Sequence, residues 1–242
     1  RVLFRSNGVN TSEGNASSRN EIRNLTVSTP MDLRVSNIVN LTTAQVGNTV
    51  NYTTVIRNDI GNPNAVTSIP ARFSINPTGV TIPSDITPGV VYSTGGINIV
   101  RNGVDASGNP AYDITNFPIG ASLTLTYTGV IASTAASAIN NAQVVPPAGY
   151  GNIDPNDGRG VAQTFIQPVM AQPQSVSVCP NTSLNVGFAA TPTAFTQYTW
   201  NSTVGPSNAS TQPSTIINDQ FSNSTGSDIN LNYTITPQIS AV

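Results

Sequence analysis

Apolar residues recur at every second position along most of this chain. In GASLTLTYTGVI (120–131), Leu123, Leu125, Tyr127 and Ile131 share one face, and Ser122, Thr124, Thr126 and Thr128 share the other. That alternation predicts an antiparallel strand with one buried face and one hydroxyl-covered face. VGNTVNYTTVIRN (46–58) repeats it, setting Val50, Tyr52, Thr54 and Ile56 against Asn51, Thr53, Val55 and Arg57. DLRVSNIV sets Leu33 and Val35 against Arg34 and Ser36, and INLNYTITP sets Ile229, Leu231, Tyr233 and Ile235 against Asn230, Asn232 and Thr234. β-Branched residues dominate these runs. No window of a dozen residues carries a helical stripe. ASTAASAIN (132–140) comes nearest, and its short Ser/Thr-rich composition reads as a loop or a single helical turn. Turn-forming clusters such as DIGNPNA, RNGVDASGNP, VPPAGYGN and DPNDG separate the runs. The expected fold class is all-β, built of antiparallel sandwiches.

Two sandwiches fit better than one. QPVMAQPQ (167–174) forms a seam whose Pro168 and Pro173 do not both suit a central strand, and 168–174 reads as a linker between units at 30–167 and 175–242. Residues 1–29 are left outside. Their runs RVLFRS and EIRNLTV each want one buried face but are too short to make a domain. They read as the terminal strands of a preceding repeat, or as a strand donated to a neighbouring subunit.

Composition narrows the chemistry. Of 242 residues 38% are hydrophobic, enough for real cores, and alternation argues against the disorder that abundant Gly and Pro would otherwise suggest. Only 8% are charged, against about 25% in ordinary soluble proteins. Nine arginines face eleven acids, for a net charge of -2, so no basic footprint for nucleic acid or anionic lipid emerges. No apolar run reaches the roughly 20 residues of a membrane-spanning helix. The chain opens on RVLFRSNGVN without a signal peptide, which reads as processing or as a piece of something longer. There is no histidine and no lysine. Ser-His-Asp triads, Cys-His pairs, histidine metal sites and Schiff bases are therefore excluded. A carboxylate pair is the remaining catalytic option, and the acids sit mostly in turn-like loops, so no enzyme is expected.

Two segments resemble known families. Residues 31–167 resemble the bacterial "conserved repeat domain" (domain of unknown function eleven) through DLRVSN, VGNTVNYTTVIRN, FPIGASLTLTYTGVI, and INNAQVV with DPNDGRGVAQ, in that order. The stretch 71–113 departs from the pattern and reads as an insertion. Residues 175–242 resemble the PKD-like repeats of Bacteroidota surface proteins through VCPNTS, YTW and NYTITP. The resemblance implies tandem Ig-like sandwiches in large exported proteins, among them adhesins and gliding-motility adhesins. The implied partners are neighbouring repeats or subunits, with surface glycans as a further candidate. It also implies that Cys179, the single cysteine, pairs with a cysteine beyond Val242. Read from residues alone, Cys179 is equally a small buried apolar side chain, with a reactive thiol as a third reading.

Candidate ligands are few. Asp154, Asn156 and Asp157 in NIDPNDGRG offer hard oxygen donors suited to Ca²⁺, the one cofactor considered; the competing reading is an Asx turn. Asp105, Asn109 and Asp113 form a weaker set in a hairpin loop. Ten Asn-x-Ser/Thr triplets, among them Asn51, Asn201 and Asn232, read as outward strand residues before glycan acceptors. Trp200, sharing a face with Tyr198, reads as a core anchor before a sugar-stacking platform. The leading expectation is a non-catalytic structural or adhesive segment of an extracellular surface protein or filament. A glycan- or Ca²⁺-dependent binding module and an accessory domain of a secreted hydrolase are the alternatives.

Overall fold

The computed structural model describes residues 29–59, 70–132, 136–171 and 175–239. Nearly every regular element is a strand. The one helical element among the described residues is a 3₁₀ turn at Thr87–Gly89.

In the first unit β1 (Thr29–Met31), β2 (Leu33–Val39), β3 (Thr43–Ala44) and β4 (Thr49–Asn58) come first, followed by β5 (Ala71–Thr78), β6 (Val80–Thr81) and β7 (Val90–Tyr92). Next are β8 (Asn98–Val104), β9 (Pro110–Thr115), β10 (Ser122–Ile131), β11 (Ser137–Val145), β12 (Tyr150–Asn152) and β13 (Arg159–Ile166). One sheet runs β2-β4-β10, with β6 and β7 sharing the far edge of β10; the other runs β3-β13-β11-β5-β9-β8. The pairings are antiparallel except for two short parallel ones, β3 with β13 and β1 with β12.

Alternation sets the faces as the sequence predicts. Val50, Tyr52, Thr54 and Ile56 of β4 and Leu123, Leu125, Tyr127 and Ile131 of β10 point inward. Phe73, Ile75, Tyr112 and Ile114 meet them from the other sheet, so the stretch expected as an insertion carries core strands. A second expectation is corrected at ASTAASAIN. Ser137–Asn140 is not a loop or helical turn but the start of β11, which is paired on both sides, by β13 and by β5. Its inward residues are Ala138, Asn140, Ala142 and Val144. Small and polar side chains give little strand signal by themselves, and the two flanking ladders override it.

The second unit is smaller. β14 (Val169–Met170) pairs β16 (Ala190–Thr191), β15 (Val186–Gly187) pairs β18 (Ile216–Ile217), and β17 (Phe195–Ser202) pairs β19 (Tyr233–Ile239). Its core is Ala190, Phe195, Tyr198, Trp200 and Ile217, distinct from the cluster of the first unit. Two boundaries move. Within the expected linker, β14 already belongs to the second unit, with Met170 packed on its core. Thr29 opens β1 of the first unit, while residues 1–28 lie outside the described residues, as do both readings of that segment. The strand expected from Ile229 starts at Tyr233, and Ile229 is exposed.

Candidate functional site

The loop carrying Asp154, Asn156 and Asp157 leaves β12 and enters β13. Asn152, at the end of β12, anchors it as a surrogate strand residue: its Oδ1 accepts the Leu33 N–H at 2.7 Å and its Nδ2 donates to the Leu33 carbonyl at 2.9 Å. The backbone N–H of Val35 donates to the Asp157 carbonyl at 2.8 Å. This clamps the loop along β2, more than a hundred residues earlier in the chain.

The candidate ligands are engaged locally. Asp154 Oδ1 accepts the Asn156 N–H at 2.9 Å, closing an Asx turn. Asp157 turns its carboxylate to Arg34, whose Nε donates to Oδ2 at 2.8 Å. Arg34 lies 2.9 Å from Asp59 and 3.9 Å from Asp32 as well. The Asp59 charge, foremost, holds the Arg34 guanidinium above its ordinary pKa. Burial, then the neighbouring Asp157, pushes the Asp32 carboxyl up. The structure thus joins Asp157 to Asp32 and Asp59 around a guanidinium. Among the described residues no three His, Cys, Asp or Glu side chains gather in a way that holds a metal. The 105–113 hairpin is similar: Asp105 Oδ1 accepts the Ser107 and Asn109 N–H groups, each at 2.9 Å, while Asp113 pairs Arg72 at 2.7 Å.

A buried polar ring between the two sheets went unremarked in the sequence. Asn37 (β2), Thr54 (β4) and Tyr127 (β10) face Asn140 (β11) from the opposite sheet. Asn140 Nδ2 donates to the Tyr127 hydroxyl at 2.7 Å, and Thr54 Oγ1 donates to Asn37 Oδ1 at 2.8 Å. Thr54 has one proton, already given to Asn37, so Tyr127 donates across their 3.0 Å contact. Asn37 Nδ2 returns to the Asn140 carbonyl at 2.7 Å and closes the ring. Burial holds the Tyr127 phenol above its ordinary pKa, so it keeps the proton it donates. The available signal was parity: Asn37 and Thr54 fall at inward positions of their strands.

In the second unit Trp200 is buried against Phe188, with ring centroids 6.2 Å apart. The Gln212 side chain accepts the Trp200 backbone N–H at 2.9 Å and donates to the Trp200 backbone carbonyl at 3.0 Å, in the manner of a neighbouring strand. Trp200 is the core anchor expected. Asp219, unremarked in the sequence, accepts from Ser210 N and Oγ at 2.7 and 2.6 Å and from the Tyr233 hydroxyl at 3.0 Å. Cys179 is exposed, which overturns its reading as a buried apolar residue. The tight turn after it, with Asn181 at φ 60°, holds its backbone at the surface. It borders a groove of about 940 Å³. Asn51 and Asn201 are exposed, as their strand parity implies, and Asn232 is exposed just ahead of β19.

Two sheets packed face to face define an all-β sandwich protein. No protein-family model and no curated protein sequence matches the chain. Among solved structures it is similar to the collagen-binding domain of a Staphylococcus aureus adhesin, at 13% identity over 55% of this chain and 96% of that one, with a TM-score of 0.32. It is also similar to the cohesin module of a Clostridium perfringens family 33 glycoside hydrolase, at 9% identity over 55% and 96%, TM-score 0.33. A third is the major pilin SpaA of Corynebacterium diphtheriae, at 10% identity over 57% of this chain and 39% of that one, TM-score 0.34. Among the described residues no helix is long and apolar enough to cross a membrane.

Proposed function

We propose that the chain is a non-catalytic structural or adhesive segment of a bacterial surface protein or surface filament, acting outside the cell. The observation that carries this reading is two separately cored β units in series, with strand faces of Thr, Ser and Asn turned outward. Cored units in series extend the chain while presenting little charge, which suits a spacer that extends a binding end or polymerises. The acids of the candidate loops support it, because Asp154, Asp157 and Asp113 are committed to turns and arginines. The sequence-wide lack of His and Lys supports it too, by removing the usual nucleophile–base pairs. Partners on this reading are neighbouring repeats or subunits of the same protein.

The test is immunolabelling of intact cells with antibodies against residues 29–239, alongside a deletion strain. Label on unpermeabilised cells, with loss of attachment or of surface filaments in the deletion, is the expected result. Label that requires permeabilisation overturns the reading.

A further inference from the structure

The groove of the second unit is walled by Val176, Val178, Leu184, Phe188, Leu231 and Tyr233. Val176 and Val178 remain 50% and 40% exposed, although they alternate with serines in the manner of an inward strand face. Ser175–Val178 lies outside any strand. On the other side β19, whose Tyr233 and Ile235 line the groove, is paired by β17 on one edge and, among the described residues, by nothing on the other. Ser177, Asn223, Asn230 and Asn232 share the lining, so the groove is an apolar stripe flanked by polar side chains; beside an open strand edge it is a template for one more amphipathic strand. The core beneath is thin, five buried side chains, so an added apolar face would deepen it.

We propose that this groove accepts a strand from residues 1–28 of a second copy of the chain. Within residues 1–28 the run RVLFRSN sets Val2 and Phe4 at alternate positions, the pattern of a strand with one apolar face. RVLFRSN has seven residues, the length of β19, and at about 3.3 Å per residue spans it end to end. Charge is complementary: RVLFRSN carries Arg1 and Arg5 and no acid, and the second unit has no arginine or lysine, its Asp219 being buried and hydrogen-bonded and Asp228 the acid that faces outward. Asp228 borders the groove. Segment and groove are different surfaces, so the contact is head-to-tail, and it propagates into an open filament wherever the rotation between copies does not close a ring. The proposal rests on the surface-filament reading and names its assembly contact.

Light scattering on the purified full chain tests it, at rising concentration. Phe4→Arg spoils the donor without touching the described residues. Val178→Arg spoils the acceptor at a half-exposed position that tolerates charge. The wild-type chain should form concentration-dependent oligomers, and each variant alone should stay monomeric, with a dissociation constant at least tenfold higher. Mixing the two should yield a heterodimer and nothing larger, since one intact donor meets one intact groove. Alkylation of Cys179 on the groove rim should be slower in the oligomer than in either variant. A monomeric wild-type chain overturns the proposal, as do oligomers that persist in either variant or a mixture that stays monomeric. A monomer that labels intact cells would sink strand donation and leave the surface reading standing. Oligomers from a protein confined inside the cell would do the reverse.

Discussion

Polar side chains at inward positions are the costliest choices in this sequence, and closing them into a ring is what makes them tolerable. Each donor of the Asn37–Thr54–Tyr127–Asn140 ring is used once, while Asn140 Oδ1 has no partner among the described residues. Tyr127→Phe therefore strands Asn140 Nδ2 and removes the donor to Thr54. A buried group left unsatisfied costs about 1–3 kcal/mol, so urea denaturation should show the first unit destabilised by that amount with an unchanged m-value. At the 152–160 loop the same reasoning bears on calcium. Asp157 is held by Arg34, and a cation entering there would have to displace or face a guanidinium. Millimolar Ca²⁺ should leave the melting temperature unchanged. A rise in melting temperature that disappears in Asp157→Asn would instead establish the loop as a calcium site.

At the scale of elements, the 3₁₀ turn and β7 are seated on β10 by close backbone approach. A Cβ added at Gly89 would lie 1.9 Å from the Thr126 carbonyl oxygen, and Thr126 Oγ1 donates to the Gly89 carbonyl at 3.1 Å. Backbone against backbone cannot yield as a side-chain tip can. Gly89→Ala should cost about 1–3 kcal/mol through overpacking and should raise amide exchange across β7, where it pairs Leu123–Leu125. In the second unit Asp219 ties the 210 loop to β19. Burial opposes its charge, but the hydrogen bonds from Ser210 and Tyr233 outweigh it and hold the carboxyl below its ordinary 3.8. A lowered folded value means stability that is fully present above pH 3.8 and is lost as pH falls through the folded value. The wild-type second unit should therefore lose stability as pH falls below 3.8, whereas Asp219→Asn should be less stable above that pH and lack this acid-dependent loss, as urea denaturation at a series of pH values would show.

Across the whole molecule, two core clusters predict two unfolding events. Trp200→Ala and Phe73→Ala each remove a buried aromatic, at about 3–5 kcal/mol. Calorimetry should show the first substitution lowering one transition and the second lowering the other. A single transition shifted equally by both would mean that the clusters unfold together. The seam near Gln167 is where the division falls, and β14 shows that its residues were already committed to the second unit.

Period-two alternation carried the inward faces of β2, β4 and β10, the turns between them, and Trp200 as an anchor, because burial of a strand's own face is written in its own residues. All-β architecture followed from that, and the absence of His and Lys bounded the chemistry before any coordinate was needed. Tertiary structure alone decided the rest. It made the Ala- and Asn-containing stretch 137–145 an interior strand, through ladders to β5 and β13 that no local propensity encodes. It brought Arg34 to Asp157 across 123 positions and so turned a candidate ligand into half of an ion pair. It exposed Cys179 and left Val176 and Val178 half-covered in a mixed groove beside β19, since whether an apolar residue finds cover depends on which strand arrives next to it, and that is a property of the pairing rather than of the residue.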